Sequence, residues 1–251
     1  MVTPAHSPLR VIIPTYNEAR NIRSIVMRVR GAIPNADVLI VDDDSPDGTG
    51  RIAQGLADAD PHIEVMHRRE KNGLGRAYVD AYRETVKLPY RWVAQMDADG
   101  SHRAEDLIHL FERAQADDQP DIVIGSRYVP HAAFQGWPLS RQMLSRLGNM
   151  YIRAAARTHI HDVTAGFRVY RLEYLASLDF SRIDAQGYYF QTDMTLAGLA
   201  RHARIVEVPI TFVQRQAGES KLSRSIFLES LAKTTRLGVQ RWLHPGSRMS
   251  S

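Results

Sequence analysis

The sequence predicts an α/β fold: a mainly parallel central sheet with helices on both faces. Three observations predict it. Short β-rich runs alternate with stretches of helical periodicity through the first half of the chain. Polar clusters directly follow four of those runs, where open parallel sheets bind their ligands. The chain has 251 residues, 44% of them apolar, enough for one large α/β domain with a buried core.

The first run, Leu9 to Ile13, leads into Pro14-Thr15-Tyr16-Asn17-Glu18. A helix follows over Ala19 to Arg30, with Ile22, Ile25, Val26 and Val29 on one face. The second strand, Val38 to Val41, ends in Asp42-Asp43-Asp44, and the Ser45-Pro46-Asp47-Gly48 turn opens a helix over Thr49 to Ala59. Ile63 to His67 is the third strand and Leu74 to Lys87 the third helix. Trp92 to Met96 is a fourth strand, followed by Asp97-Ala98-Asp99 and a helix over Glu105 to Ala116. The fifth strand, Ile122 to Ile124, runs into Gly125-Ser126-Arg127-Tyr128. Beyond it the rhythm changes. Tyr128 to Pro138 reads as loop, Leu139 to Arg157 as helix, Phe167 to Tyr170 as strand, Gln191 to Arg201 as helix and Ile205 to Val213 as strand. A longer helical stretch, Leu222 to Leu243, stops before Pro245-Gly246. The expected organisation is one catalytic unit over residues 1–213, with residues 214–251 forming an acceptor loop and a C-terminal amphipathic helix.

Composition narrows the chemistry. The absence of cysteine excludes disulfides, thiolate metal sites and cysteine nucleophiles, and fits a reducing cytoplasm. The net charge of +4 is mildly basic, and the excess sits late: from Arg201 onward nine Lys and Arg face three Glu. Such a tail suits phosphate-bearing ligands or an anionic membrane surface, although a solvated helix face explains any single charge as well. The longest stretch without a charged residue, Tyr128 to Ser140, contains two prolines, so no transmembrane helix is expected. Met1 to Pro8 is polar and shows no secretory signal.

Asp97 and Asp99 are the leading candidates for chemistry. At the end of an extended segment, residues two apart point the same way. Two neighbouring carboxylates repel unless a cation or proton lies between them, and oxygen ligands suit Mg²⁺ or Mn²⁺ shared with a diphosphate. A polar turn is the competing reading. Among Asp42, Asp43 and Asp44, one could accept hydrogen bonds from a base or ribose. Gly73-Leu74-Gly75 does not follow the first strand, and no phosphate-binding G-x-x-x-x-G-K-[ST] loop exists, so dehydrogenase and P-loop chemistry are unsupported. Arg127, Arg141, Arg215 and Lys221 are candidate phosphate ligands, and Arg141 and Ser145, four apart on a helix, share a face. Surface ion pairs are the plain alternative for each basic residue.

With these residues in view, the chain resembles the family 2 glycosyltransferases and, within them, the polyprenyl-phosphate mannose synthases. The matching text is PTYNE (Pro14 to Glu18), VDDDSPDGT (Val41 to Thr49), NGLGRAY (Asn72 to Tyr78), MDADGSH (Met96 to His102), IGSRY (Ile124 to Tyr128), W-x3-R-x3-SR (Trp137 to Arg146), TAGFRVYR (Thr164 to Arg171), GYYFQTDM (Gly187 to Met194) and the run from Pro209 to Leu222. The resemblance covers nearly the whole chain. It implies a GT-A nucleotide-sugar-binding fold and inverting transfer of mannose from GDP-mannose to a polyprenyl monophosphate. It implies that Pro14, Tyr16, Glu18, Val41 and Asp43 line the guanosine pocket. Asp97, Ala98 and Asp99 would meet the donor, with Asp97, Asp99 and, weakly or through water, Ser101 holding Mg²⁺ or Mn²⁺. Arg127, Arg215 and Lys221 would contact the donor phosphates, Arg127 as a catalytic group beside the two aspartates. Arg141 and Ser145 would receive the acceptor phosphate.

Some relatives of this kind carry transmembrane helices after the catalytic domain. Their absence here implies a peripheral enzyme on the cytoplasmic face of the membrane, held there by a separate membrane subunit or by Ile226, Phe227, Leu231, Leu237 and Trp242 of the last helix. Two other functions compete: transfer from UDP-glucose or UDP-N-acetylglucosamine, to a polyprenyl phosphate or a sugar hydroxyl, and a non-catalytic nucleotide- or RNA-binding module. Nucleic acid is not expected as a partner, because acidic clusters at the strand ends would repel its backbone.

Overall fold

A computed structural model describes residues 8–183 and 189–215 together with Thr235. The apolar runs form the strands. β1 (Leu9–Thr15), β2 (Asp37–Asp42), β3 (Ile63–His67), β4 (Trp92–Gln95) and β5 (Ile122–Ser126) alternate with α1 (Ile22–Ala32), α2 (Thr49–Ala59), α3 (Leu74–Thr85) and α4 (Ala104–Ala114). Then come β6 (Ala133–Gln135), α5 (Leu139–Ala156), β7 (Arg168–Arg171), α6 (Leu172–Ala176), α7 (Tyr189–Ala200), β8 (Ile205–Pro209) and β9 (Thr211–Val213). The seven-stranded sheet has the order β3-β2-β1-β4-β7-β5-β8. Its pairings are parallel except those of β7, which runs antiparallel to β4 and β5.

Side-chain alternation along the strands builds the two cores. Val11 and Ile13 of β1, with Val38 and Ile40 of β2, pack against Ile25, Val29, Leu56 and Leu107 of α1, α2 and α4. Ile12, Leu39 and Val41 face the other way, onto Tyr78 and Tyr82 of α3 and Phe190 and Met194 of α7. Helices therefore cover both faces, as the alternating pattern predicts.

Three boundaries differ from the sequence reading. Helix α1 starts at Ile22 rather than Ala19, because Asn17 takes a left-handed φ of 57° and Glu18 closes a turn with Asn21. The expected strand Ile205 to Val213 divides after Pro209. Pro209 has no N–H to donate, and the buried Ile210 is the pivot: its N–H bonds to the Ser126 carbonyl while its own carbonyl accepts from Ala133. The chain thereby leaves the main sheet, and β9 pairs in parallel with β6, inside the stretch expected to be loop. The short helix α6 was not expected. The C-terminal helix expected over Leu222 to Leu243 lies outside the described residues, apart from Thr235, whose Oγ1 is 2.6 Å from the Tyr151 hydroxyl on α5. Among the described residues, no helix is long and apolar enough to cross a membrane.

Candidate active site

Parallel strands deliver their C-terminal ends to one edge of the sheet. That edge collects the segments after β1, β2, β4 and β5. Because β7 is antiparallel, the residues before it, Val163 to Phe167, arrive at the same edge.

Asp42, which ends β2, and Asp43 and Asp44 after it sit in three different settings. Asp42 is buried and braces the loop: it accepts from Thr15 Oγ1 at 3.1 Å and from Ser45 Oγ at 2.6 Å. A Cβ at Gly50 would sit 2.7 Å from its Oδ2, so the helix can begin this close to Asp42 only with glycine there. Asp44 is exposed at a positive φ of 55°. Asp47 accepts from the Thr49 N–H and hydroxyl and from the Ala19 N–H, tying the loops after β1 and β2 together. Asp43 is buried and paired with Arg68, which also reaches Asp80 at 3.0 Å. Burial pushes the Asp43 carboxyl above its usual value, against the pull of Arg68. Pro14 and Val41 are partners in neighbouring strands, but Val41 is fully buried, so its carbonyl, which accepts from Thr15 Oγ1, is what that position presents. Tyr16 is half-buried, with Lys71 Nζ 3.8 Å from its ring centroid. The Glu18 carboxylate accepts from Asn21 Nδ2 at 2.8 Å.

Asp97 lies in irregular backbone just past β4 and Asp99 in the turn that follows, so one extended segment does not carry both. The Asp97 N–H donates to His102 Nδ1 at 3.2 Å, which places the ring proton of a neutral His102 on Nε2. That ring is buried and stacked on Phe167, 4.8 Å between centroids. Asp99 is 8% exposed. Its Oδ1 accepts the Ser101 N–H at 2.9 Å and its Oδ2 accepts from Arg215 Nε at 2.9 Å. Burial opposes its ionisation, but hydrogen bonds from Ser101 and the charge of Arg215 outweigh it and hold the carboxyl below the usual range. Ser101 thus serves Asp99 with both its N–H and its side chain.

These groups fit a divalent cation on limited terms. Among the described residues, no three His, Asp or Glu side chains gather as a metal cage. The protein offers two carboxylates, which is the protein's usual share where phosphate and water complete the shell. On Asp99 a guanidinium already stands where a cation is held.

Arg127 sits differently from a free phosphate ligand. Its Nε and Nη2 each lie 2.7 Å from an oxygen of Asp162, and its N–H donates to the same carboxylate. Asp162 is fully buried, its own loop fixed by Glu207, which accepts the N–H groups of His161 and Asp162. Burial opposes the Arg127 charge, but Asp162 overrides it and raises its pKa. On α5, Arg141 is exposed, and Ser145 accepts from the Tyr128 hydroxyl at 2.5 Å. Arg141 and Ser145 fall on one helix as the spacing predicts. Lys221 lies outside the described residues.

Sequence reasoning missed Arg68, His102, Asp162 and Gln191. Arg68 carried a positional signal, since it directly follows β3 at the same sheet edge as the other motifs, and His102 and Gln191 lie inside the quoted motifs MDADGSH and GYYFQTDM.

A mostly parallel sheet that gathers its acidic and basic motifs at one edge is the architecture of the GT-A glycosyltransferases. Residues 10–178 match the family described as glycosyl transferase family 2. The chain belongs to that family and is a glycosyltransferase. It is 46% identical to an undecaprenyl-phosphate mannosyltransferase of Micrococcus luteus, over 92% of this chain and 94% of that one. It is also 46% identical to a polyprenol monophosphomannose synthase of Mycolicibacterium smegmatis, over 92% of this chain and 86% of that one. In fold it is similar to the glucosyl-3-phosphoglycerate synthase of Mycobacterium tuberculosis, solved with Mn²⁺, UDP and glucosyl-3-phosphoglycerate (TM-score 0.64, 17% identity, 94% of this chain and 79% of that one). A mannosyltransferase of Pyrobaculum calidifontis, solved with GDP-Man and Mn²⁺, has a TM-score of 0.60 at 18% identity, over 98% of this chain and 66% of that one.

Proposed function

We propose that the chain transfers mannose from GDP-mannose to a polyprenyl monophosphate with inversion, giving a β-linked mannosyl phosphate lipid. The observation that carries this is the 46% identity, along nine-tenths of the chain, to two enzymes named for mannose transfer to such lipids. The site's chemistry agrees. A phosphate monoester is already ionised near neutral pH, so its oxygen needs no general base. What the protein must do is orient it and accommodate the leaving diphosphate.

Asp43, backed by Arg68, accepts hydrogen bonds from guanine, with Pro14, Tyr16, Glu18 and the Val41 carbonyl around the nucleoside. Asp97 and Asp99 hold Mg²⁺ or Mn²⁺, which supplies charge neutralisation of the diphosphate as the glycosidic bond breaks. Ser101 acts on that ion through Asp99 or a water. Arg215, released from Asp99, and Lys221 pair with the diphosphate, and Arg127 lends its charge from its seat on Asp162. Arg141 and Ser145 aim the acceptor phosphate at the opposite face of the sugar. The acceptor's lipid tail places the enzyme on a membrane surface, on its cytoplasmic face. Helix α5 is the surface we assign to that contact: Leu139, Met143, Leu144, Leu147 and Met150 are each more than half exposed, on the helix that carries Arg141.

Incubation with a panel of sugar nucleotides and polyprenyl phosphate, followed by mass measurement of the extracted lipid, tests the reaction. A hexosyl lipid from GDP-mannose alone is expected, and one formed from a UDP-sugar instead would reassign the donor. Arg141→Ala is expected to raise KM for the lipid phosphate by roughly tenfold or more, the loss typical of one charge-assisted hydrogen bond, while leaving the Kd of GDP-mannose unchanged. Equal losses for both ligands would remove Arg141 from the acceptor side.

A further inference from the structure

A chain of buried amides ends beside Asp97 in a donor with nothing to bond. Gln95, on β4, is fully buried. Its Nε2 donates to the Gly166 carbonyl at 2.7 Å, and a carbonyl can only accept, so the orientation of this amide is fixed. Its Oε1 then takes the Tyr82 hydroxyl, and its Nε2 also donates to Gln191 Oε1 at 2.8 Å. Gln191, on the first turn of α7, is therefore fixed in turn, with Oε1 inward and Nε2 outward. Its backbone carbonyl is held by the buried Arg168, whose Nη2 lies 2.9 Å away. The residue is 3% exposed, and its side-chain Nε2 has no hydrogen-bond partner among the described residues. A buried donor left in that state costs about 1–3 kcal/mol, and a water or a ligand group that accepts from it removes the cost.

The gap it faces is defined by Gly166. A Cβ built there would lie 3.7 Å from Gln191 Nε2, 3.4 Å from Asp97 Oδ2 and 3.6 Å from Asp97 Oδ1. Gly166 is not at a left-handed φ, so its backbone does not require glycine. The missing side chain leaves room instead. The gap has a hydrogen-bond donor on one wall and a carboxylate on the other. A phosphate oxygen would suit the donor but be repelled by Asp97. A sugar hydroxyl suits both walls, because it accepts from an N–H and donates to a carboxylate at once.

We propose that Gln191 Nε2 binds a ring hydroxyl of the transferred hexose, in the gap over Gly166, with Asp97 accepting the proton of the same hydroxyl. The assignment rests on the sugar-nucleotide reading of the site, and it makes Gln191 a residue that reads the sugar rather than the nucleotide.

Calorimetric binding of GDP and of GDP-mannose, with divalent cation present, separates the two. Gln191→Met keeps the shape and removes the N–H together with the Oε1 that accepts from Gln95, whose Nε2 retains the Gly166 carbonyl. It is expected to bind GDP as the wild type does and GDP-mannose roughly tenfold more weakly. Gly166→Ala meets only ordinary van der Waals contacts in the folded chain, so it is expected to keep the wild-type melting temperature and GDP affinity. Its methyl group fills the gap, and GDP-mannose affinity should fall by more than tenfold. Equal loss for GDP and GDP-mannose in both variants, no loss in either, or a loss confined to the lipid phosphate would each overturn the proposal. If the wild type prefers another sugar nucleotide, the donor reading fails by itself, and the same comparison, made with that nucleotide and its diphosphate, still judges Gln191.

Discussion

Asp99→Asn is expected to lower mannosyl transfer by about a hundred- to a thousandfold, the scale on which removal of a group stabilising transition-state charge is felt. The substitution keeps the shape of a side chain that is 10% exposed and still able to accept the Ser101 N–H. What it removes is the negative charge that Ser101 and Arg215 maintain against burial. Without that charge, a divalent ion loses one of the two carboxylates the protein offers it, and Arg215 loses its partner. Two measurements check this together: the transfer rate at saturating Mn²⁺, and the fraction of Mn²⁺ bound in the presence of GDP by electron paramagnetic resonance. Near-normal transfer with near-normal Mn²⁺ binding would take Asp99 out of the metal site.

Asp162→Ala is expected to produce the largest loss of stability. It strands the Arg127 guanidinium, whose side chain is 12% exposed, and deprives the Arg127 N–H of its acceptor. Breaking one side of a buried pair costs about 3–5 kcal/mol, because the remaining charge is left desolvated. For a chain of this size the melting temperature should fall by roughly 10 °C. Pairing Asp162→Leu with Arg127→Met removes both charges and should recover most of the loss, a non-additivity that a double-mutant cycle in urea reads directly. Additive losses would mean that the two residues do not depend on each other.

The strands, and the sheet edge that gathers the polar motifs, were legible because both are local properties. Apolar runs such as Leu9 to Ile13 announce themselves, and a polar cluster after each run marks the edge. The pairings across that edge were not legible. Arg215 meets Asp99 from 116 residues away, and Arg127 meets Asp162 from 35. Nothing in either neighbourhood names the partner, so Arg127 read as a free phosphate ligand when two of its N–H groups were already engaged. Strand β6 was missed because three residues between Pro130 and Gly136 carry no pattern of their own and become a strand only through β9. Gln191 was read as one polar residue in a helix. Its isolation depends on the orientation of Gln95, a fact of hydrogen-bond geometry that composition does not encode.

The position of β7 has a consequence for how the molecule is made. Strand β5 borders only β7 and β8 in the main sheet, and both are synthesised after it. The first ninety-five residues can assemble four strands, β3-β2-β1-β4, with β4 as an open edge, but residues 122–126 must wait for residue 168 and beyond before they acquire a neighbour. The nascent chain therefore carries an unpaired segment that opens Ile-Val-Ile through the emergence of some forty further residues, the interval in which a chaperone would have most to protect.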